Sequence, residues 1–165
     1  MSDVRVGSGI DVHAFGDDPD RPLILGGVRI PDASGLAGHS DADVVAHAVT
    51  DALLGAAGLG DLGSMFGVDD PEIAGADSLT LLGRAVDRVT TAGWAAVNVD
   101  VTVVAERPRI APHLPGMRGR LSDVLGIPVA ATSVKATSTD GLGSIGRGEG
   151  IGCWTVALVS RTPDA

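Results

Sequence analysis

Asp11, His13 and His47 have the residue types, and the first two the spacing, to hold a metal ion. In Gly9-Ile10-Asp11-Val12-His13 a strand's period of two sends Asp11 and His13 to the same side. The stretch from Gly38 to Asp61, GHSDADVVAHAVTDALLGAAGLGD, holds two of the chain's four histidines among many carboxylates. Read as a helix starting near Ser40 or Asp41, it places Asp43, His47 and Asp51 four residues apart on one face. Val44, Val45, Ala48, Val49, Ala52 and Leu53 cover much of the rest, and a polar stripe on such a helix needs partners. Asp11 and His13 are the best partners in the chain. Two imidazoles and one carboxylate suit zinc with a position left open for substrate or water, and they also suit non-haem iron. The plain alternative is a hydrogen-bonded core histidine beside a turn carboxylate.

The elements that must position these residues follow from periodicity and turn chemistry. Val4 to Val12 alternates apolar residues with Arg5, Gly7, Gly9 and Asp11. Leu23-Ile24-Leu25 and Val28-Arg29-Ile30 flank Gly26-Gly27, a two-residue hairpin signal that Pro31 is expected to end. Gly55 and Gly58 close the central helix, and the loop from Gly60 through Asp69-Asp70-Pro71 is too long for a mere connector. Asp77 caps a second helix that Gly93 stops. Val97, Val99, Val101 and Val103 mark a strand, and a third helix spans about Pro112 to Leu125. Ser133 to Ser138 and Gly150 to Arg161 complete the strands. This order predicts an α+β fold of two layers, a mixed sheet with helices packed on one face and a βαβ unit of ferredoxin-like character, as a single domain over residues 1–165.

Composition narrows the function classes. A hydrophobic content of 44% with only 2% aromatics builds a core of Val, Leu, Ile and Ala. The formal charge of −9 and the scarcity of aromatics argue against a nucleic-acid partner. An anionic ligand would need bound cations to reverse the local field. No apolar run approaches a membrane span, and a strand pattern from Val4 leaves no room for a targeting segment, so a cytoplasmic protein is expected. The one cysteine, Cys153, has no partner for an internal disulfide and reads as a small buried strand residue.

Gly141-Leu142-Gly143-Ser144-Ile145-Gly146 matches the dinucleotide-binding glycine pattern, but no apolar-periodic helix follows and too little chain remains to complete the unit. Arg147 and Glu149 form a candidate ion pair beyond it. Thr137-Ser138-Thr139-Asp140 offers hydroxyls to phosphate and a carboxylate to Mg²⁺, or is a strand end followed by a solvated turn. Lys135 is the sole lysine and is assigned a supporting role in the same field; Arg107 and Arg109 add cationic donors.

Taken together, Gly9 to Phe15, Gly38-His39-Ser40-Asp41, Gly60-Asp61-Leu62-Gly63, Asn98 to Thr102, Pro112-His113 and Arg147-Gly148-Glu149-Gly150 resemble, over nearly the whole chain, the 2-C-methyl-D-erythritol 2,4-cyclodiphosphate synthase family of the non-mevalonate isoprenoid pathway. The resemblance implies that Asp11, His13 and His47 bind zinc. It implies that Val12 joins Asp11 and His13 at the substrate, and that His39 and Ser40 touch its phosphates. Asp61, Leu62 and Gly63 would hold the methylerythritol portion, with Phe66, Gly67, Val68, Asp69 and Asp70 lining that pocket. Cytidine would sit against Ala105, Glu106, Arg107, Pro108, Arg109, Ile110 and Ala111. Thr137, Ser138 and Thr139 would reach the diphosphate, Asp140 would hold a second divalent cation, Mg²⁺ or Mn²⁺, and Ser144 and Arg147 would complete the substrate contacts.

The implied activity is cyclisation of 4-diphosphocytidyl-2-C-methyl-D-erythritol 2-phosphate with release of CMP, His39 and Ser138 donating to the transition state, in a homotrimer with sites between subunits. Three residues depart from the family pattern: Asp140 stands for a usual Glu, Ser138 for a common Thr, and Ser144 for a frequent Phe near a cavity on the trimer axis. The competing readings are another zinc-dependent phosphohydrolase or a ferrous oxygenase on the same ligands, and a trimeric binding protein without turnover.

Overall fold

The computed structural model describes residues 3–67 and 75–162. Its strands are β1 (Val4–Ala14), β2 (Pro22–Leu25), β3 (Val28–Ser34), β4 (Trp94–Val104), β5 (Thr132–Thr137) and β6 (Gly150–Arg161). Its helices are α1 (Val44–Ala57), α2 (Leu62–Phe66), α3 (Ser78–Thr91), α4 (Leu114–Leu125) and the single turn α5 (Gly143–Gly146). A four-stranded sheet runs in the order β1-β6-β4-β5, and β2 and β3 form a separate hairpin. Strand β6 pairs antiparallel with both neighbours, while β4 and β5 are parallel. A parallel pair needs a crossover, and α4 supplies it. The sheet is therefore mixed, with a βαβ unit at one edge and helices on one face.

The inner face of the sheet is apolar for a simple reason: Val99, Val101 and Val103 of β4 and Ile151, Cys153, Ala157 and Val159 of β6 alternate inward and are buried. Helix α1 lies over β1 and β6 and against α3. It is buried almost all round, leaving His47, Asp51 and Gly55, spaced four apart, as its less buried line. Strand β1 reverses the usual alternation. Val4, Val6, Ile10 and Val12 point outward and are exposed, whereas Gly7 and Gly9 turn toward α1. A methyl group at Gly7 would overlap the Ala52 carbonyl oxygen, and one at Gly9 that of Ala48. Strand and helix thus touch backbone to backbone.

The helix begins later than its sequence suggests, at Val44, because Asp43 is its N-cap. Asp43 accepts from Val45 N (3.0 Å) and Ala46 N (3.1 Å), and also from Gly26 N (2.8 Å) and Gly27 N (2.7 Å) in the hairpin turn. Both turn glycines have positive φ, as the two-residue connection requires. Asp43 is therefore a buried staple between hairpin and helix, and not part of a polar stripe with His47. Burial pushes its carboxyl up to about 6 against the pull of the backbone donors from Gly27, Gly26 and Ala46.

Strand β3 does not stop at Pro31. It continues to Ser34 through an irregular stretch on this two-stranded element, where proline's missing N–H leaves no ladder bond unmade. The loop after α1 contains α2, capped by Asp61, whose side chain accepts from Ser64 N at 2.7 Å. Helix α3 starts at its expected cap, Asp77, and stops where expected, with Gly93 following the C-cap Ala92 at a positive φ of 82°. Cys153 is buried on β6, and burial raises its thiol to about 12. Among the described residues, no helix is long and apolar enough to cross a membrane.

Candidate functional site

Asp11 and His13 lie on the inward side of β1, and His47 faces them from α1 across the glycine contact. Asp11 Oδ2 is 3.1 Å from His13 Nε2 and 2.9 Å from His47 Nδ1. Ligand atoms of the three residues all lie within 4.8 Å of one another. Tetrahedral ligands at zinc-like bond lengths of about 2.0–2.1 Å are spaced about 3.3 Å apart, so the triangle needs little adjustment to enclose such an ion.

The donor set fits a cation on its own chemistry. His13 Nδ1–H donates to the Ala37 carbonyl at 2.5 Å, an oxygen that can only accept. Neutral His13 therefore aims the lone pair of Nε2 at a carboxylate oxygen, an arrangement that requires a proton or a metal between the two. Without a metal the proton takes that place: the hydrogen bond His13 gives to Asp11 raises His13 above its ordinary value against the opposing effect of burial. Burial also works to raise Asp11, but the hydrogen bonds and charges of His13 and His47 outweigh it and hold its carboxyl well below the usual range. Behind the triangle, His47 Nε2 is 3.0 Å from Ser78 Oγ and 3.2 Å from Ser40 Oγ.

These residues floor a cavity of about 370 Å³ whose walls include Gly38, His39, Ser40, Asp51, Asp61, Leu62, Gly63 and Gly67. His39 is exposed at the rim. Ser40 is buried, its hydroxyl turned into the hydrogen-bond network behind His47. Asp51 accepts from Leu62 N at 2.8 Å and so ties α1 to the start of α2. Asp61 is spent partly as a cap, and the Ser64 backbone bond lowers its carboxyl. Phe66 closes α2 without lining this cavity, and Val12 lies on the other side of β1 from its neighbours Asp11 and His13. Val68, Asp69 and Asp70 lie outside the described residues.

A second group assembles elsewhere. Ala105, Glu106, Pro108, Arg109, Ile110 and Ala111 form an open depression of about 310 Å³ with Ala136, Thr137 and Ser138 from the end of β5. It shares no lining residue with the first cavity. Arg107 turns aside to a third cavity, donating to the Gly148 carbonyl at 3.3 Å. Thr139 donates to Leu142 O at 2.7 Å, and Asp140 accepts from the Ser138 hydroxyl at 3.1 Å. Ser144 borders a small cavity with Val12 and His13, and the exposed Arg147 is paired with Glu149 at 2.6 Å. The sole lysine, Lys135, pairs with Asp100 on the neighbouring strand at 2.5 Å, an exposed pair of little energetic weight.

Two residues behind the site had no functional reading in the sequence. Ser78 follows a capping aspartate, a local signal for a helix start, and nothing local relates it to a histidine 31 positions earlier. Asp41 accepts from both the hydroxyl and the backbone N–H of Ser78.

An α+β chain that brings two imidazoles and a carboxylate to the floor of an open cavity has the make-up of a metal-dependent enzyme. Comparison with known proteins makes the class particular. The YgbB family model matches residues 4–160, and the chain belongs to that family. It is 56% identical over 157 residues to 2-C-methyl-D-erythritol 2,4-cyclodiphosphate synthase of Azoarcus sp. strain BH72, covering 95% of this chain and 96% of the relative. The bifunctional IspDF of Campylobacter jejuni superposes with a TM-score of 0.92 at 39% identity, over 98% of this chain and 43% of that longer one. IspF of Plasmodium falciparum, solved as a CDP complex, gives a TM-score of 0.84 at 30% identity over 99% of both chains.

Proposed function

We propose that the chain converts 4-diphosphocytidyl-2-C-methyl-D-erythritol 2-phosphate to 2-C-methyl-D-erythritol 2,4-cyclodiphosphate and CMP. An oxygen of the 2-phosphate attacks the β-phosphorus, a new P–O bond closes the ring, and the bond from the β-phosphorus to the bridging oxygen of CMP breaks. The observation that carries this reading is the Asp11, His13 and His47 triangle, set in a cavity of a chain that shares 56% identity with an enzyme of this name.

A phosphate is already ionised near neutral pH, so the reaction needs alignment and charge neutralisation more than a strong base. Zinc held by Asp11, His13 and His47 would polarise phosphoryl oxygens at the floor of the cavity. His39, at the rim, donates to the same oxygens, and the walls from Asp61 to Gly63 hold the polyol. The depression at Ala105–Ala111 receives the cytosine and ribose, with Thr137 and Ser138 on the diphosphate and Asp140 on a second divalent cation. The CDP bound to the P. falciparum relative supports a cytidine diphosphate ligand here.

Because the two groups of residues line separate cavities, a complete site joins one chain's metal cavity to a neighbour's nucleotide depression. The exposed apolar outer face of the sheet, where Val6 is 67% and Trp154 56% accessible, supports burial against further copies in a homotrimer. The test is CMP release from the substrate with and without chelator, restoring Zn²⁺ and Mg²⁺ separately and weighing the second product. A cyclic diphosphate is the expected product. An open-chain, water-added product would make the enzyme a hydrolase, and binding without CMP release would make it a binding protein.

A further inference from the structure

His47 can present Nδ1 to a metal only as the tautomer with its hydrogen on Nε2. Two hydroxyls compete for that nitrogen, and they favour opposite tautomers. Ser40 Oγ, 3.2 Å away, accepts from Ala42 N and keeps its own hydrogen to give, either to Nε2 or to Ser78 Oγ 3.3 Å from it. Were Ser40 to donate to Nε2, the imidazole hydrogen would move to Nδ1 and bond to Asp11, closing the position a metal needs. Ser78 Oγ, 3.0 Å away, has no such freedom, because its hydrogen goes to Asp41 Oδ1 while Asp41 Oδ2 accepts from Ser78 N at 3.2 Å. A carboxylate has no hydrogen to return. Ser78 is 1% exposed, so water does not replace either partner.

We infer that Asp41 and Ser78 are positioning residues for the metal site: the Asp41 carboxylate orients the Ser78 hydroxyl as an acceptor, which fixes the Nε2–H tautomer of His47 and leaves Nδ1 for the ion. This rests on the reading of Asp11, His13 and His47 as ligands. The carbonyl of Ala37 does the same for His13, so each imidazole has a rear acceptor, one from the main chain and one from this relay. Asp41→Asn is nearly isosteric and breaks the relay. Asp41 Oδ1 also accepts from Asp43 N at 3.2 Å, so either way round the amide nitrogen meets a backbone N–H and the pair of acceptors that holds Ser78 is lost.

The test measures zinc affinity of the full chain by competition with a chromogenic chelator, for wild type, Ser78→Ala and Asp41→Asn. It is joined to ¹⁵N NMR of the His47 ring in zinc-loaded and zinc-free wild type. Both variants are expected to bind zinc about 10- to 100-fold more weakly, the usual effect of losing such a partner. The wild-type ring should carry a hydrogen on Nε2 with and without zinc, whatever hydrogen Nδ1 shares with Asp11 when zinc is removed. Unchanged affinity in folded variants, or a wild-type ring with no hydrogen on Nε2, overturns the relay while leaving the metal site standing. Wild type that binds no zinc overturns the metal site and the relay with it. The NMR measurement needs no variant and decides the case if either substitution prevents folding.

Discussion

In the cavity over Asp11 each imidazole is held from behind, His13 by a main-chain carbonyl and His47 by a buried serine. At the depression formed by Ala105, Glu106, Pro108 to Ala111 and the end of β5, the polar side chains lie in the open, and Ser138 on its lining bonds to Asp140. The first region is arranged before any ligand arrives. The second offers hydroxyls and a carboxylate that must give up internal bonds to receive one. A cation with directional bonds demands the first kind of site, and a long flexible diphosphate tolerates the second.

Substitutions should separate the two regions. His47→Ala is expected to have the largest effect, abolishing turnover and zinc content together while the fold survives, as metal analysis and circular dichroism would report. A variant that lost turnover but kept its zinc would move the ligand role elsewhere. Ser138→Ala should lower kcat by about 10²-fold, as loss of a transition-state donor does. Its zinc content should stay at the wild-type level, and a loss of zinc there would mean that the two regions are coupled within one chain.

Asp43→Ala belongs to neither region and tests the frame beneath the first. It orphans four backbone donors, two in the hairpin turn and two in α1, and should lower unfolding free energy by about 3 kcal/mol in a denaturant titration. A loss below about 1 kcal/mol, the ordinary worth of a single cap, would show that the hairpin is held by other contacts.

The smallest effect is one of pH on the chelated protein. His13 has a raised folded value, so the stability it contributes is fully present below its unfolded value of 6.5 and is lost as pH rises through the folded one. Asp11, lowered in the fold, contributes stability above 3.8 that is lost as pH falls. Metal-free protein should therefore melt at lower temperature as pH climbs above about 6.5, with zinc flattening that decline. An equal decline with zinc bound would mean that the ion does not replace the proton between His13 and Asp11.

Much of this was legible in the chain. The valines of β4, the cap of α3, the Gly26-Gly27 turn and the pairing of Asp11 with His13 and His47 all rest on local periodicity or turn chemistry. What escaped depends on contacts distant in sequence. Asp43 sits at helical spacing from His47, and only its bonds to Gly26 and Gly27 show that it faces the hairpin. The valines of β1 suggest an ordinary core-facing side, but the inward side is the one without side chains, because a helix lies against it. Ser78 and Asp41 acquire meaning only once α3 is folded beside α1. The split of the predicted substrate residues between two cavities is a tertiary fact that no spacing along the chain encodes.

The bare contact of Gly7 and Gly9 with α1 has one more consequence. Most distances in a core are compromises among many side chains, and they drift when any of them is exchanged. Here the gap between β1 and α1 already stands at its lower limit, since two main chains cannot come nearer than their own atoms allow. The bite of the ligand triangle is therefore calibrated by backbone radii. Trimming Leu53 or Leu82 should weaken the protein without changing the size of ion it accepts, whereas a single methyl at Gly9, two residues from Asp11, would pry the jaws apart and change the ion it selects.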